Sequence, residues 1–206
     1  MKSVMLSIRP KWCEKIVSGE KTIEVRKTKP KLKTPFKCYI YCTVEMAGHD
    51  ALWVLDAPTR EKYSLVAVSA YLENPEGANK GNGKVIGEFT CDRIDEYDDD
   101  TIFSFRHEDY ACWNDFDLDR ACIHPEDFQN YANGKWLYGW HIIDLRIYDQ
   151  PRELTEFRRP CPNDLYCEAC AMYINNNGIC NNGALQLHRP PQSWCYVEEW
   201  EEQNDA

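Results

Sequence analysis

Apolar runs in this chain are short, as in Cys38-Tyr39-Ile40-Tyr41-Cys42, and none approaches the ~20 residues that a membrane-crossing helix needs. The core must therefore be assembled from several short elements, each contributing one face. At 206 residues the chain suits one domain carrying an insertion or a short second module. Its 43% hydrophobic content, with seven Trp, separates it from disordered chains. The first apolar stretch breaks at Arg9, before a secretory core forms, so a soluble, cytoplasmic protein is expected. Eleven cysteines without an export signal point to reduced thiols or metal ligands rather than a disulfide framework.

Periodicity locates the elements. Val4 to Ile8 alternates as a strand does, and Pro10 opens a helix that reaches Ser18 and ends at Gly19. Thr22 to Arg26 alternates again, setting Ile23 and Val25 on one face and Thr22, Glu24 and Arg26 on the other. Phe36 to Thr43 reads as a central strand, and Lys84 to Ile94 and Trp136 to Tyr148 as two more. Ala51 to Leu72 fits a hairpin or a helix, and residues 74–83 read as a loop. Pro125 to Ala132 has the acidic first turn and following Gly134 of a short helix. This mixture predicts an α+β fold, a small β-barrel or curled sheet of five or six strands closed by short helices. Residues 1–157 form that domain, with 51–83 as a variable insertion, and 158–206 form a Cys-rich appendage.

Charge is divided unevenly. The chain carries a formal −10, yet residues 1–37 hold eleven Lys or Arg against three Glu. A basic end on an otherwise acidic molecule suits an anion-binding surface, with the acidic remainder limiting non-specific adhesion to nucleic acid. Residues 27–37 on their own read as a solvated connector.

The chemistry concentrates in Gly19-Glu20-Lys21-Thr22-Ile23-Glu24-Val25-Arg26. Glu24 and Arg26 share a strand face with Lys21 at its mouth, so three charged groups converge after the helix. Two cations can hold a phosphate or carbonyl oxygen, and a carboxylate beside a lysine can act as a base. Spacing alone is equally consistent with a surface ion-pair set. Arg9 stands at the helix entrance. Trp12, Tyr138 and Trp140 offer flat surfaces for a base, although Trp140 also suits core packing. Glu88 is a candidate second carboxylate, and His141 is assigned no role.

These residues resemble the ASCH domain family, within the PUA-like fold. The resemblance rests on Leu6-Ser7-Ile8-Arg9-Pro10 before a helix with Trp12 and Ile16, on Gly19-x-Lys21-x-x-Glu24-x-Arg26, on Gly83-Lys84-Val85-Ile86-Gly87-Glu88-Phe89, and on Tyr138-Gly139-Trp140-His141-Ile142 followed by Pro151. It spans about residues 1–157 and implies a PUA-like barrel whose cleft binds RNA or a modified nucleoside or nucleotide. Some small members are amidohydrolases of acylated cytidine that use a Lys, a Thr and a Glu, and others are described as nucleases or RNA-binding modules. Lys21 matches the family lysine, but the hydrolase threonine falls at Glu24. The resemblance thus carries over a pocket walled by Lys21, Glu24 and Arg26, with Lys21 and Glu24 as the catalytic pair if there is a reaction.

In the tail, Cys161-x5-Cys167-x2-Cys170-x9-Cys180 has the spacing of a four-thiolate site. Zinc is expected, with a 4Fe-4S cluster as the alternative, since ligand type does not separate them. His188 and Cys195 are reserve ligands. Three functions follow: an RNA- or nucleotide-binding module, a hydrolase of a modified nucleoside, or a protein-interaction module built on the metal-bound tail.

Overall fold

The computed structural model describes residues 2–44, 51–69, 76–98, 100, 115–162, 170–175, 180 and 182–200. Strand β1 (Lys2–Ile8) leads into helix α1 (Pro10–Val17), whose first position holds the proline that leaves no orphan N–H. Gly19, at φ +79°, turns the chain out of the helix. Strand β2 (Ile23–Arg26) follows, then β3 (Phe36–Cys42).

The described residues of 51–83 do not form the hairpin or the helix expected over 51–72 alone, and part of the loop expected over 74–83 is strand. They build β4 (Leu52–Leu55), helix α2 (Ala57–Tyr63), β5 (Ala67–Ser69) and β6 (Ala78–Lys80), a small sheet ordered β5-β4-β6. Asp56 caps α2 by accepting from the Thr59 N–H at 3.0 Å. Next come β7 (Val85–Cys91), β8 (Ile94–Tyr97), α3 (Asp115–Ala121), α4 (Pro125–Ala132), β9 (Leu137–His141), β10 (Ile143–Arg152) and β11 (Trp194–Glu198).

The expected closed barrel of five or six strands is corrected. Eleven described strands form three sheets: five strands ordered β10-β7-β3-β1-β11, and two three-stranded sheets, one of them β2-β9-β8. The strand read as Lys84 to Ile94 breaks at Asp92 and Arg93, sending β7 and β8 into different sheets, and Trp136 to Tyr148 breaks at Ile142 in the same way. The breaks are tied together: the His141 N–H donates to the Arg93 carbonyl, and the Ile142 N–H to the Thr22 carbonyl, both at 3.0 Å. Because each fragment keeps its two-residue period, alternation does not register the change of sheet.

Strand β3 is central, as expected, with β1 parallel on one side and β7 antiparallel on the other. Both faces of the large sheet are covered. Val4, Leu6 and Ile8 point with Ile40 and Phe89 into the main core under α1, while Met5 and Tyr39 point into a second core with Phe157 and Tyr148. A third core joins Ile23 and Val25 of β2 to Leu118 of α3 and Phe128 of α4. Strand β11 returns from the tail segment to pair antiparallel with β1, and its Trp194 ring lies 6.0 Å from Trp140.

The cores enclose thiols whose titration sets an alkaline limit. Burial pushes Cys91 up to about 12 and raises Cys13 and Cys38 well above the ordinary thiol range. The unfolded chain releases these protons near pH 8.5 and the native chain does not. Their contribution is therefore intact below about pH 8.5 and is lost as pH rises, by up to about 1.4 kcal/mol per thiol per pH unit. Thermal melting at pH 7, 8.5 and 10 is expected to show a steep fall in Tm only above pH 8.5, and an unchanged Tm at pH 10 contradicts the buried, protonated state.

Candidate functional site

The turn after α1 fixes where the charges go. The Lys21 N–H donates to the Lys15 carbonyl at 2.8 Å, which folds residues 19–21 back against the helix and starts β2 directly afterwards. Ile23 and Val25 then enter the third core, and Glu24 and Arg26 take the opposite face. That face does not meet bulk solvent. Relative exposure is 5% for Lys21, 6% for Glu24 and 8% for Arg26, because distant segments roof them over.

The space they enclose is a cavity of about 560 Å³. Its walls come from the end of β1 and the start of α1, from β2, from the loop after α3, from Tyr131 of α4 and from residues 190–192. The volume lies within the ~300–1,000 Å³ common for small-molecule sites.

Inside it the three charges form a chain. Lys21 Nζ donates to the Ala121 carbonyl at 2.6 Å and stands 3.4 Å from Glu24 Oε2. Glu24 Oε1 accepts from Arg26 Nη2 at 2.9 Å. Arg26 also donates to the Ser7 carbonyl at 2.8 Å and to Ser193 Oγ at 3.4 Å, leaving its buried Nε without a partner among the described residues. Two cations and one carboxylate leave a buried excess of one positive charge. Such an excess is costly in a dry interior and is relieved by an anion or a polarised oxygen.

Aromatic rings bound the same space. Lys21 Nζ lies 5.3 Å and Lys11 Nζ 4.6 Å from the Trp12 ring centroid. Tyr131 lies under Lys27 Nζ at 4.9 Å, and its phenol is raised above the ordinary range, by burial first of all.

Of the residues singled out in the sequence, Arg9, Trp12, Lys21, Glu24 and Arg26 all line this cavity. Trp140 does not, which corrects its assignment as a ligand surface. It stands opposite Glu24 in the β2–β9 ladder, so register places it beside the site, but it is 0% exposed and covered by Phe36, edge-on at 5.8 Å, and by Trp194. Glu88 lies on the large sheet, accepting from the Tyr148 hydroxyl at 2.8 Å and paired with Lys37 at 3.6 Å. His141 is buried and does not line the cleft, its Nε2 2.5 Å from Asp95 Oδ2 and its Nδ1 3.3 Å from Arg120 Nη2. Arg120 Nε in turn donates to Thr22 Oγ1 at 3.0 Å, tying the end of α3 to the start of β2.

Sequence reasoning missed Tyr131, the Ala121 carbonyl and Ser193. The Pro190-Pro191 pair was the available signal for the last: it reads as a stiff extended segment, and the Pro191 carbonyl accepts from Ser7 Oγ at 2.6 Å at the edge of the cavity.

For the tail, Cys161 and Cys180 are half-buried and Cys170 is exposed, while Cys167 lies outside the described residues. Arg158 Nη2 donates to Cys180 Sγ at 3.3 Å. Among the described residues, no three His, Cys, Asp or Glu side chains gather as metal ligands. Nor, among them, is any helix long and apolar enough to cross a membrane.

Comparison with solved structures returns the crystal structure of ASCH from Zymomonas mobilis, 17% identical, covering 98% of this chain and 88% of that one with a TM-score of 0.43. A Tyr-to-Phe mutant of that protein matches at 17% identity, 98% and 92% coverage and a TM-score of 0.43, and a Ser-to-Ala mutant at 17%, 98%, 89% and 0.42. No curated protein matches the sequence. The family model of the ASCH domain matches residues 6–138. That match takes in more than half of the chain, including every cavity residue that β2 and α1 supply, and the chain belongs to the ASCH domain family.

Proposed function

We propose that the cleft binds RNA or a nucleotide, holding a phosphate or a base carbonyl oxygen at Lys21 and Arg26 with a base against Trp12. The observation that carries this reading is the buried, net positive chain Lys21–Glu24–Arg26 opening on an aromatic ring inside a space of nucleotide size. Lysine and arginine supply charge-assisted donors to oxygen, and the indole face supplies sequence-tolerant stacking. Family membership supports the same class of ligand. Calorimetric titration with cytidine 5′-monophosphate tests it. Binding is expected to weaken with salt, and Trp12→Ala to weaken it by about 1–3 kcal/mol, roughly 5- to 150-fold. Trp12→Phe should retain most of the affinity. Equal affinity in wild type and Trp12→Ala would remove the stacking role.

The 3.4 Å separation of Lys21 Nζ and Glu24 Oε2 favours one further reading, hydrolysis of an acylated nucleoside. Glu24 occupies the family threonine's place, so the nucleophile is water. Glu24 takes its proton, the oxygen adds to the amide carbon polarised by Lys21, and the C–N bond breaks as the amine leaves with a proton. Turnover of an N4-acylated cytidine, abolished in Lys21→Met, supports this reading, and binding without turnover supports the first. A separate proposal concerns the tail, where the spacing of Cys161, Cys167, Cys170 and Cys180 supports zinc. Metal analysis of the purified chain reads it directly.

A further inference from the structure

A second cavity of about 590 Å³ lies along the same wall as the cleft, lined by Lys2, Lys31, Leu32, Arg159, Cys195 and Tyr196 among others, with no acidic side chain among its lining residues. Two chain segments run past both spaces. Residues 190–192 line the cleft and Cys195 and Tyr196 line the groove, while Val25 and Arg26 line the cleft and Lys31 and Leu32 the groove.

The two segments are laced together along the way. Arg26 reaches Ser193 Oγ at 3.4 Å, Trp194 Nε1 donates to Thr28 Oγ1 at 2.9 Å, and the Lys31 N–H donates to the Tyr196 hydroxyl at 2.8 Å. Cleft and groove are thus successive stations on one continuous wall. From Gln192 to Tyr196 the wall spans about 13 Å at the usual strand rise, a few nucleotides of extended single strand.

The groove's chemistry matches a phosphate backbone. Lys2 stands opposite Glu198 in the β1–β11 ladder, so the cations open to a ligand are Lys31 and Arg159. Among the described residues, neither of these side chains has an ion-pair or hydrogen-bond partner. Tyr196 brings a ring to the same groove, braced edge-on against Trp194 at 5.3 Å. Such alternation of cations and rings along a channel is how single strands are held without base readout. An acidic peptide would meet the cations but would leave the aromatic cleft at the end of the wall without a base.

We propose that the groove is a second station for single-stranded RNA, with Lys31 and Arg159 on backbone phosphates flanking the nucleotide held in the cleft. This rests on the nucleotide reading of the cleft and extends it from a mononucleotide to a short strand. The test is a titration with oligouridylates of one, two, four and eight nucleotides. Affinity is expected to rise roughly tenfold between one and four nucleotides and then level off. The Lys31→Glu, Arg159→Glu double variant, both changes being on exposed side chains, is expected to erase that gain. It should also lower the salt slope for the tetranucleotide by about 1.4, two single-strand phosphates, while leaving uridine 5′-monophosphate affinity unchanged. Mononucleotide binding with no gain on lengthening, or a gain that survives the double variant, overturns the second station and leaves the cleft reading intact. Competition by polyglutamate as effective as by octauridylate also overturns it. A chain that binds no member of the series contradicts the cleft reading itself.

Discussion

Replacing Glu24 by alanine is expected to destabilise the fold by about 3–5 kcal/mol, the range for removing one partner of a buried ion pair. The carboxylate stands between Lys21 at 3.4 Å and Arg26 at 2.9 Å, and the side chains of those cations are only 5% and 9% exposed. Without it, two largely buried positive charges remain close together and have lost the carboxylate that pairs with both. At roughly 2–4 °C per kcal/mol for a chain of this size, Tm should drop by about 6–20 °C. Glu24→Gln keeps the volume and an acceptor oxygen but loses the charge, and is expected to fall between wild type and Glu24→Ala. Added phosphate should raise the Tm of Glu24→Ala more than that of wild type, because the anion replaces the missing charge. Thermal melting with and without phosphate measures both effects. A loss below 1 kcal/mol would mean that the cluster is solvated rather than enclosed.

Lys21→Met is expected to do the reverse, sparing the fold and removing the ligand. Glu24 keeps Arg26 at 2.9 Å, so the remaining pair is neutral. The stability loss is then confined to the Ala121 carbonyl, which loses its 2.6 Å donor, at about 1–3 kcal/mol. Affinity for cytidine 5′-monophosphate should fall by about 2–5 kcal/mol, at least thirtyfold, because the buried excess positive charge is gone. Lys21→Arg should not restore it. Lysine reaches between the Ala121 carbonyl and Glu24 as a compact point charge, and a planar guanidinium requires a wider slot. Parallel melting and titration of the three proteins gives the result: Glu24→Ala loses mainly stability, and Lys21→Met loses mainly binding. Equal effects of the two substitutions on both measurements would contradict the division of roles.

The part of this site that was legible in the sequence is the part encoded within one short segment. A two-residue period puts Glu24 and Arg26 on one face, Gly19 makes the turn that brings Lys21 to their mouth, and Pro10 starts the helix that presents Trp12. Those features are local, and the structure keeps them. The burial of the three charges was not legible, because the cover comes from residues 121–131 and 190–193, about a hundred or more positions further along. Helix α3 carries three aspartates in seven residues and has no obvious apolar stripe, yet its end supplies the carbonyl that holds Lys21.

The fold divides in the same way. Strands β1, β2 and β3 and helices α1 and α4 follow from alternation and from Pro and Gly positions. The three-sheet arrangement does not, since Asp92-Arg93 and Ile142 are ordinary within their strands and become sheet junctions only through hydrogen bonds to Thr22 and to each other's strand. Trp140 shows the limit for side chains. Composition marks it as a possible stacking surface, and register even sets it opposite Glu24, but Phe36 and Trp194 cover it.

The proposed ligand site is the positively biased cleft at Lys21 and Arg26, and a structure of the chain crystallised with cytidine 5′-monophosphate decides it. A phosphate or carbonyl oxygen is expected about 3 Å from Lys21 Nζ and from an Arg26 nitrogen, with the pyrimidine lying on the Trp12 ring. A nucleotide bound elsewhere on the surface, with Lys21, Glu24 and Arg26 untouched, would contradict it.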